Sequence, residues 1–238
     1  WDSTNVADGI VSVVAPVGLD HTDMLGDTLA EIATEKAGII KPDGYLISAA
    51  QDPEVATILL DTARKQNAKY AFEGVEFGVV ERDRAVGGQL LTLRGLAGEY
   101  PDIELPLHGE HQGQNASLAL AAVEAFFGGD RALARDVVLA GFAQVRSPGR
   151  LEMIRSEPLV VLDAAHNPHG VRAASTAFKE AFELSHVHAV VGILGEKDAL
   201  GIFEVLREEY VDSTDATFRL YLSASDSSRA IAPEELQE

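Results

Sequence analysis

The sequence predicts a mixed α/β protein built from two consecutive units. An apolar, β-branched run at residues 10–17 suits a strand that is buried on both faces. Helix and strand patterns alternate from there to residue 66, which is typical of a parallel sheet. Three short strand patterns divided by glycine turns then predict a small antiparallel meander. Strand–helix alternation resumes after Ser147-Pro148-Gly149, so we predict a domain boundary there and an incomplete doubly wound sheet beyond it.

The first predicted helix has clear signals at both ends. Thr28 and Glu31 have capping-box spacing, and Gly38 and Pro42 mark its end. Asp52-Pro53 opens the next helix, to about residue 66, as an N-cap followed by an N1 proline. The other predicted elements are strands at 45–49, 77–82, 89–94, 103–107, 159–162, 189–194 and 218–222, and helices at 115–127, 131–145, 171–184 and 199–210.

The composition restricts the classes of partner. The chain has 38 acidic and 19 basic residues, a net charge of −19, which argues against nucleic acid or an anionic membrane surface as the main partner. It contains no cysteine, hence no disulfides and no thiol chemistry. No apolar run approaches the roughly 20 residues needed to span a bilayer. We expect a cytoplasmic monomer without a nucleic-acid or membrane partner.

A lysine on the first helix is the most informative single residue. On a helical wheel, Lys36 shares one side with Leu29, Ile32 and Ala33. An ammonium group facing a core is costly unless it is neutralised or paired, so this helix is a candidate centre of chemistry. His21 follows the first strand at the sheet edge where open α/β sheets bind ligands. Alone it would be an ordinary loop histidine; together with Lys36 it favours a functional site.

The second unit carries a polar motif, with two interpretations left open. Residues 163–168 (DAAHNP) lie between a predicted strand and a predicted helix, where side chains could bind an anion or merely cap the turn. Arg150, after a Pro-Gly turn, could bind a phosphate or be a solvated charge. No GxxxxGK[ST] phosphate-loop motif occurs in the sequence.

Several motifs of the sequence resemble those of a known enzyme family. The stretch LDHTDMLGDTLAEIATEKAGIIKPDG resembles the signature of folylpolyglutamate synthases and bifunctional dihydrofolate synthases, within the Mur ligase superfamily. WDSTNV, HGEHQGQNASLALAA, SPGRLE, LDAAHNP and GEKD match in the family's order, so the resemblance covers nearly the whole chain. It implies that residues 1–146 are the C-terminal portion of a Mur-ligase-type central ATP-binding domain. Residues 150–238 would be an incomplete Rossmann-like C-terminal domain.

The resemblance also implies an activity. Such enzymes use MgATP to activate a folate carboxylate as an acyl phosphate, which L-glutamate then attacks; bifunctional members also use dihydropteroate. Because the phosphate-loop region and the end of the last domain are missing, we expect a fragment that is inactive alone. Two alternatives are a Mur-ligase-fold enzyme with a different acid substrate and a non-catalytic interaction module.

Residue roles carried over from the family are expectations as well. Lys36 would be N-carbamylated and catalytic; a carbamate forms only from a neutral amine, which burial favours. His166 would be catalytic near the glutamate substrate. The remaining matches are His21 (with Lys36) to the Mg²⁺ site, Asn115, Arg150 and Asp163 to ATP-contacting positions, and Trp1, Asp2 and Ser3 to the region that binds the pteroate end of the substrate.

Overall fold

The computed structural model describes residues 3–18 and 28–237. The chain divides into a first unit, up to residue 106 with 111–145, and a second unit, 107–110 with 146–238. Both parallel and antiparallel strand pairs occur, so the predicted α/β class is confirmed. Within the described residues, no helix has the length and apolar character that crossing a membrane requires.

A three-stranded parallel sheet forms the centre of the first unit. Its strands are β1 (Val11–Val14), β2 (Tyr45–Ser48) and β3 (Lys69–Phe72), in the order β1-β2-β3. Helices α1 (Leu29–Ala37) and α2 (Pro53–Lys65) connect them. The sequence patterns missed β3 because its four residues, KYAF, include an exposed lysine and tyrosine.

Both faces of this sheet are covered, as parallel sheets require. Successive β2 residues point to opposite faces: Leu46 packs with the residues of α1 and α2, and Ile47 packs with those of α3 (Glu110–Phe126). Both side chains are fully buried. The two apolar clusters therefore hold the carboxyl ends of the strands in fixed positions.

The predicted antiparallel meander is confirmed. It consists of β4 (Gly78–Ala85), β5 (Gly88–Arg94) and β6 (Glu99–Leu105). A two-residue turn joins β4 to β5, and its second residue, Gly87, has a φ of +81°, the conformation that glycine tolerates best. Helix α4 (Arg135–Ala143) lies beside β6.

A buried carboxylate links the meander to α3. Glu124 is fully buried; its Oε1 accepts a hydrogen bond from the Tyr100 hydroxyl at 2.6 Å, and its Oε2 accepts one from the backbone N–H of Leu96. The Tyr100 oxygen in turn accepts from the N–H of Leu133 at 2.8 Å. Burial, together with the hydrogen bond to Glu124, raises the pKa of Tyr100 to about 12.

The second unit contains two separate strand pairs among its described residues. An antiparallel hairpin joins β7 (Glu152–Ser156) to β8 (Leu159–Leu162), and β9 (His186–Val191) pairs in parallel with β10 (Thr217–Leu222). Helix α5 (Pro168–Ala181) connects β8 to β9, and α6 (Ala199–Arg207) precedes β10. Apolar side chains of these helices and strands form its core. The strand–helix alternation predicted for this unit is confirmed.

Candidate functional site

The carboxyl edge of the parallel sheet is the first part of the candidate site, because open α/β sheets bind ligands there. Glu73, directly after β3, accepts a hydrogen bond from the N–H of Ala50 at 3.2 Å and one from the Ser117 hydroxyl at 3.3 Å. Gln51, three residues after β2, bonds to the chain that leaves β1. One polar network thus joins all three strand ends to α3.

Sequence reasoning missed Gln51, Glu73 and Ser117. Gln51 and Glu73 do follow strands closely, which is the signal that could have identified them. Their partners are 23 to 44 residues away in sequence, so no local pattern reveals the contacts.

Asn115, predicted to contact ATP, lies on the first half of α3 and is exposed. Its amide donates to Gln112 Oε1 at 3.4 Å.

Helix α1 begins as predicted. Thr28 Oγ1 accepts from the Glu31 N–H at 3.2 Å, and the Thr28 N–H donates to Glu31 Oε2 at 3.1 Å, which completes a capping box. Ile32 and Ala33 are fully buried. Lys36 lies in the last turn and is half-buried. The lysine therefore borders the core and is not enclosed by it.

Three hydrogen bonds hold the chain around the end of α1. Asn5 Nδ2 donates to the Glu35 carbonyl at 2.7 Å, Ser12 Oγ donates to the Ile39 carbonyl at 2.8 Å, and Lys41 Nζ donates to the Asn5 carbonyl at 2.7 Å. The WDSTNV motif thus contributes Asn5 to the support of this helix.

Ser3, predicted to bind substrate, begins a short 3₁₀ helix (Ser3–Val6) and is exposed.

Three predicted site residues fall outside the described ranges: Trp1, Asp2 and His21. Across residues 3–18 and 28–237, no group of three or more His, Asp or Glu side chains is arranged to hold a metal ion. The described residues by themselves do not form a complete magnesium site.

In the second unit, the SPGRLE and LDAAHNP motifs form two adjoining loops. Asp163 Oδ2 accepts from the Leu151 N–H at 2.9 Å, and its Oδ1 accepts from the Ala165 N–H at 2.7 Å. The Gly149 carbonyl accepts from the Ala164 N–H at 2.7 Å. Both Gly149 (φ +69°) and Leu151 (φ +44°) have left-handed backbones, which is unfavourable for leucine. The hydrogen bonds of Gly149 and Leu151 to the neighbouring loop stabilise this left-handed backbone conformation.

The polar residues of these loops divide into two groups. Asp163 and Asn167 bond to the backbone: Asn167 caps α5 by accepting from the Gly170 N–H at 2.7 Å. The Arg150 and His166 side chains are exposed, and His166 Nδ1 lies 3.1 Å from the Ala164 carbonyl oxygen. The capping interpretation therefore holds for Asp163 and Asn167, whereas Arg150 and His166 are presented to solvent and available to a ligand.

A cavity of about 980 Å³ lies next to these loops in the second unit. Every residue of β8 and β9 lines it, and so do Asp163, His166 and Lys197. Among the described residues, β8 has a ladder partner only in β7, and β9 only in β10. Each strand therefore has one free edge, and the two polar motif residues share a cavity with these strands.

Comparison with known proteins gives matches along nearly the whole chain. The Mur ligase glutamate ligase domain matches residues 149–238. The dihydrofolate synthase/folylpolyglutamate synthase of Mycobacterium tuberculosis is 48% identical over 225 residues, covering 91% of this chain and 46% of that protein. The chain thus spans about half the length of the curated relatives it matches.

Solved structures agree in fold. The M. tuberculosis folylpolyglutamate synthase complexed with ADP superposes with a TM-score of 0.90 at 46% identity, over 99% of this chain and 52% of that one. The Escherichia coli FolC in complex with DHPP and ADP gives a TM-score of 0.81 at 28% identity, over 98% of this chain and 51% of that one. The fold is therefore that of the Mur-ligase-type synthases.

Proposed function

The chain belongs to the folylpolyglutamate and dihydrofolate synthase family, and we propose on this premise that the protein is an ATP-dependent ligase that adds L-glutamate to folates. The observation that carries the proposal is the match to the ADP-complexed M. tuberculosis synthase, at 46% identity over 99% of this chain. We propose dihydropteroate as a second acceptor, because the M. tuberculosis relative is named a dihydrofolate synthase as well as a folylpolyglutamate synthase.

We assign the two halves of the chain accordingly. Residues 1–146 would be the C-terminal portion of the ATP-binding domain, and 150–238 the C-terminal ligase domain. The domain match at 149–238 supports the second assignment. The polar network at the carboxyl edge of the parallel sheet supports the first, since that edge is where such sheets bind nucleotides.

The proposed reaction has two steps. An oxygen of the folate carboxylate attacks the γ-phosphorus of ATP, giving an acyl phosphate and ADP. The glutamate amine, in its neutral form, then attacks the acyl carbon; phosphate leaves, an amide forms, and one proton is released. Charge develops on the transferring phosphoryl group, and fixed cations near that group lower the barrier.

Arg150 is a described cation that suits this task. A guanidinium presents a planar fork of N–H donors and can bind phosphate oxygens in a bidentate manner. The side chain is exposed, while the backbone groups of both adjacent residues are bonded to the LDAAHNP loop: the Leu151 N–H donates to the Asp163 carboxylate, and the Gly149 carbonyl accepts from the Ala164 N–H. We propose that Asp163 contributes to ATP binding by fixing this backbone, and Asn115 by contacting the nucleotide. His166 would lie near the glutamate substrate.

We propose further that Lys36 is N-carbamylated and acts with His21 at a magnesium site. The neutral Nζ would add to CO₂ and release a proton, which replaces the cation by an anion. Lys36 is half-buried in the last turn of α1, so the residue is not fully enclosed in the core. Bound Mg²⁺ would neutralise charge on the phosphates. Trp1, Asp2 and Ser3 would bind the pteroate end.

We propose that the enzyme is cytoplasmic, because it consumes ATP, and that it works as a monomer.

The test is ATP-dependent incorporation of labelled L-glutamate by the full-length protein, with dihydropteroate or tetrahydrofolate as acceptor. We expect product with at least one acceptor, and stoichiometric ADP. Incorporation into a nucleotide-linked peptide but into neither folate would replace the substrate assignment. No ATP-dependent incorporation with any acid would favour a non-catalytic interaction module.

A further inference from the structure

Gln51 makes an unusual set of hydrogen bonds where the chain leaves β1. The ladder between β1 and β2 ends at Val14, whose carbonyl accepts from the Ala49 N–H at 2.9 Å. Beyond it, Gln51 Nε2 donates to the Ala15 carbonyl at 3.0 Å, and Gln51 Oε1 accepts from the Val17 N–H at 2.9 Å.

This pattern is that of one residue in a parallel ladder. In such a ladder, a residue donates to the carbonyl before its partner and accepts from the N–H after its partner. Here the partner position is Pro16, which lies between Ala15 and Val17. Proline has no N–H to donate, but the pattern uses only its two neighbours. One side-chain carboxamide, using one of its N–H groups and its oxygen, can therefore replace a strand residue.

The carboxamide is also fixed from its own strand. Gln51 Nε2 lies 3.3 Å from Ser48 Oγ, and Ser48 Oγ donates to the Ala49 carbonyl at 2.9 Å. Ser48 is fully buried. Turning the amide over would place its NH₂ group against the Val17 N–H, so the observed orientation is the only one that satisfies both backbone groups.

We propose that Gln51 is a positioning residue that extends the β1–β2 ladder around Pro16 and so fixes the backbone as far as Val17, four residues before His21 in the sequence. The hydrogen bonds stand independently of any function. The consequence for catalysis rests on the proposed function, since it requires His21 to belong to the magnesium site.

The first experiment measures hydrogen exchange of the Val17 amide in the full-length protein. We expect Gln51→Met, which preserves the side-chain length without donor or acceptor, to accelerate that exchange by about tenfold or more, as a hydrogen bond worth about 1.4 kcal/mol implies. The matched control is Gln66→Met at the end of α2, which should leave Val17 exchange unchanged. Unchanged exchange in Gln51→Met would overturn the proposal.

The second experiment uses Gln51→Glu and ligase kinetics. A carboxylate can still accept from Val17, but it faces the Ala15 carbonyl without a proton to donate. We expect a lower kcat, a several-fold higher Mg²⁺ concentration for half-maximal rate, and an unchanged KM for the folate acceptor. Protonation restores the donor, so the ratio of variant to wild-type rate should rise as pH falls toward the glutamate range.

The two experiments separate the two proposals. Suppose that Gln51→Met accelerates Val17 exchange, but Gln51→Glu has a wild-type Mg²⁺ requirement and a ratio of variant to wild-type rate that does not change with pH. This outcome would overturn the positioning role while leaving ligase activity intact. A wild-type full-length protein that incorporates no glutamate would refute the proposed function, and the Val17 exchange rate would still decide whether Gln51 extends the ladder.

Discussion

The Asp163 carboxylate accepts a hydrogen bond from the backbone N–H of Leu151 at 2.9 Å, and this bond fixes the loop that carries Arg150 against the loop that carries His166. The chain at Leu151 has a φ of +44°, a conformation that a leucine adopts only when its surroundings impose it. An exposed acidic residue thus determines the backbone on which an exposed cation is presented.

We expect Asp163→Ala to raise the KM for ATP about tenfold in the full-length protein, because the backbone around Arg150 loses its anchor. Its stability should fall by about 1 kcal/mol, the usual value of a backbone-capping carboxylate. Asp198→Ala is the control: Asp198 accepts from the Gly201 N–H at 2.9 Å at the start of α6. It should lose similar stability with an unchanged KM. Equal KM values in both variants would contradict the role given to Asp163.

Lys36→Ala should nearly abolish ligation in the full-length protein, and Lys36→Arg should not rescue it, because a guanidinium cannot form a carbamate. Removing CO₂ and bicarbonate from the buffer should lower the wild-type rate, and adding bicarbonate should restore it. Lys65→Ala, at the exposed end of α2, serves as the control. A Lys36→Ala variant with wild-type turnover would refute carbamylation as a requirement.

Tyr100→Phe should destabilise the first unit by about 1–3 kcal/mol, because it leaves the buried Glu124 Oε1 and the Leu133 N–H without their partner. Chemical denaturation of this variant against Tyr70→Phe, a change at an exposed tyrosine of β3, measures the difference. Similar midpoints for the two variants would mean that the buried network contributes little.

The same tyrosine gives an alkaline signature. The pKa of Tyr100 is raised from 10.0 to about 12 in the folded protein, so the unfolded chain loses this proton first. The stabilising contribution is complete below pH 10 and is lost as pH rises through about 12. Unfolding free energies measured across that range should decline more steeply for the wild type than for Tyr100→Phe. Parallel curves would contradict the assignment.

The ionisation of His108 makes stability depend on pH in the opposite direction. Burial lowers the pKa of His108 below its ordinary 6.5, and its ring packs 5.3 Å from that of Phe182. The unfolded chain therefore takes up this proton first as pH falls, and stability decreases below about pH 6.5. His108→Leu should flatten that part of the stability curve, whereas His169→Leu, at an exposed histidine, should not. An unchanged slope in His108→Leu would contradict this account.

Local patterns in the sequence were sufficient for most elements and failed where strands are exposed. The capping box of α1 and the N-cap of α2 depend on residues within a few positions of each other, so their signals are readable. Helix α5 was predicted from residue 171 and begins three residues earlier, at Pro168. Strand β7, EMIRS, is largely exposed and lacks an apolar run. Its structure comes from pairing with β8, which a local pattern does not encode.

The candidate site was predictable in part, for a related reason. The ordered motifs identified the loops around Arg150 and His166. They did not reveal that both carboxylate oxygens of Asp163 accept hydrogen bonds from backbone N–H groups. Gln51 and Val17 are 34 residues apart, and only the parallel arrangement of β1 and β2 brings them together. Lys36 was expected on the apolar side of α1, yet its half-buried state depends on how neighbouring segments cover the last turn.

Within the part of the chain that the structure describes, β8 and β9 each have a strand partner on one side only, and this has a consequence for handling the protein. Unpaired backbone groups beside apolar strand residues are templates for pairing between molecules. The net charge of −19 opposes close approach, so colloidal stability depends on long-range repulsion. Because salt reduces the Debye length to about 3 Å at 1 M, concentrated stocks of this chain should be kept at low ionic strength, and light scattering during a salt titration would report the onset of self-association.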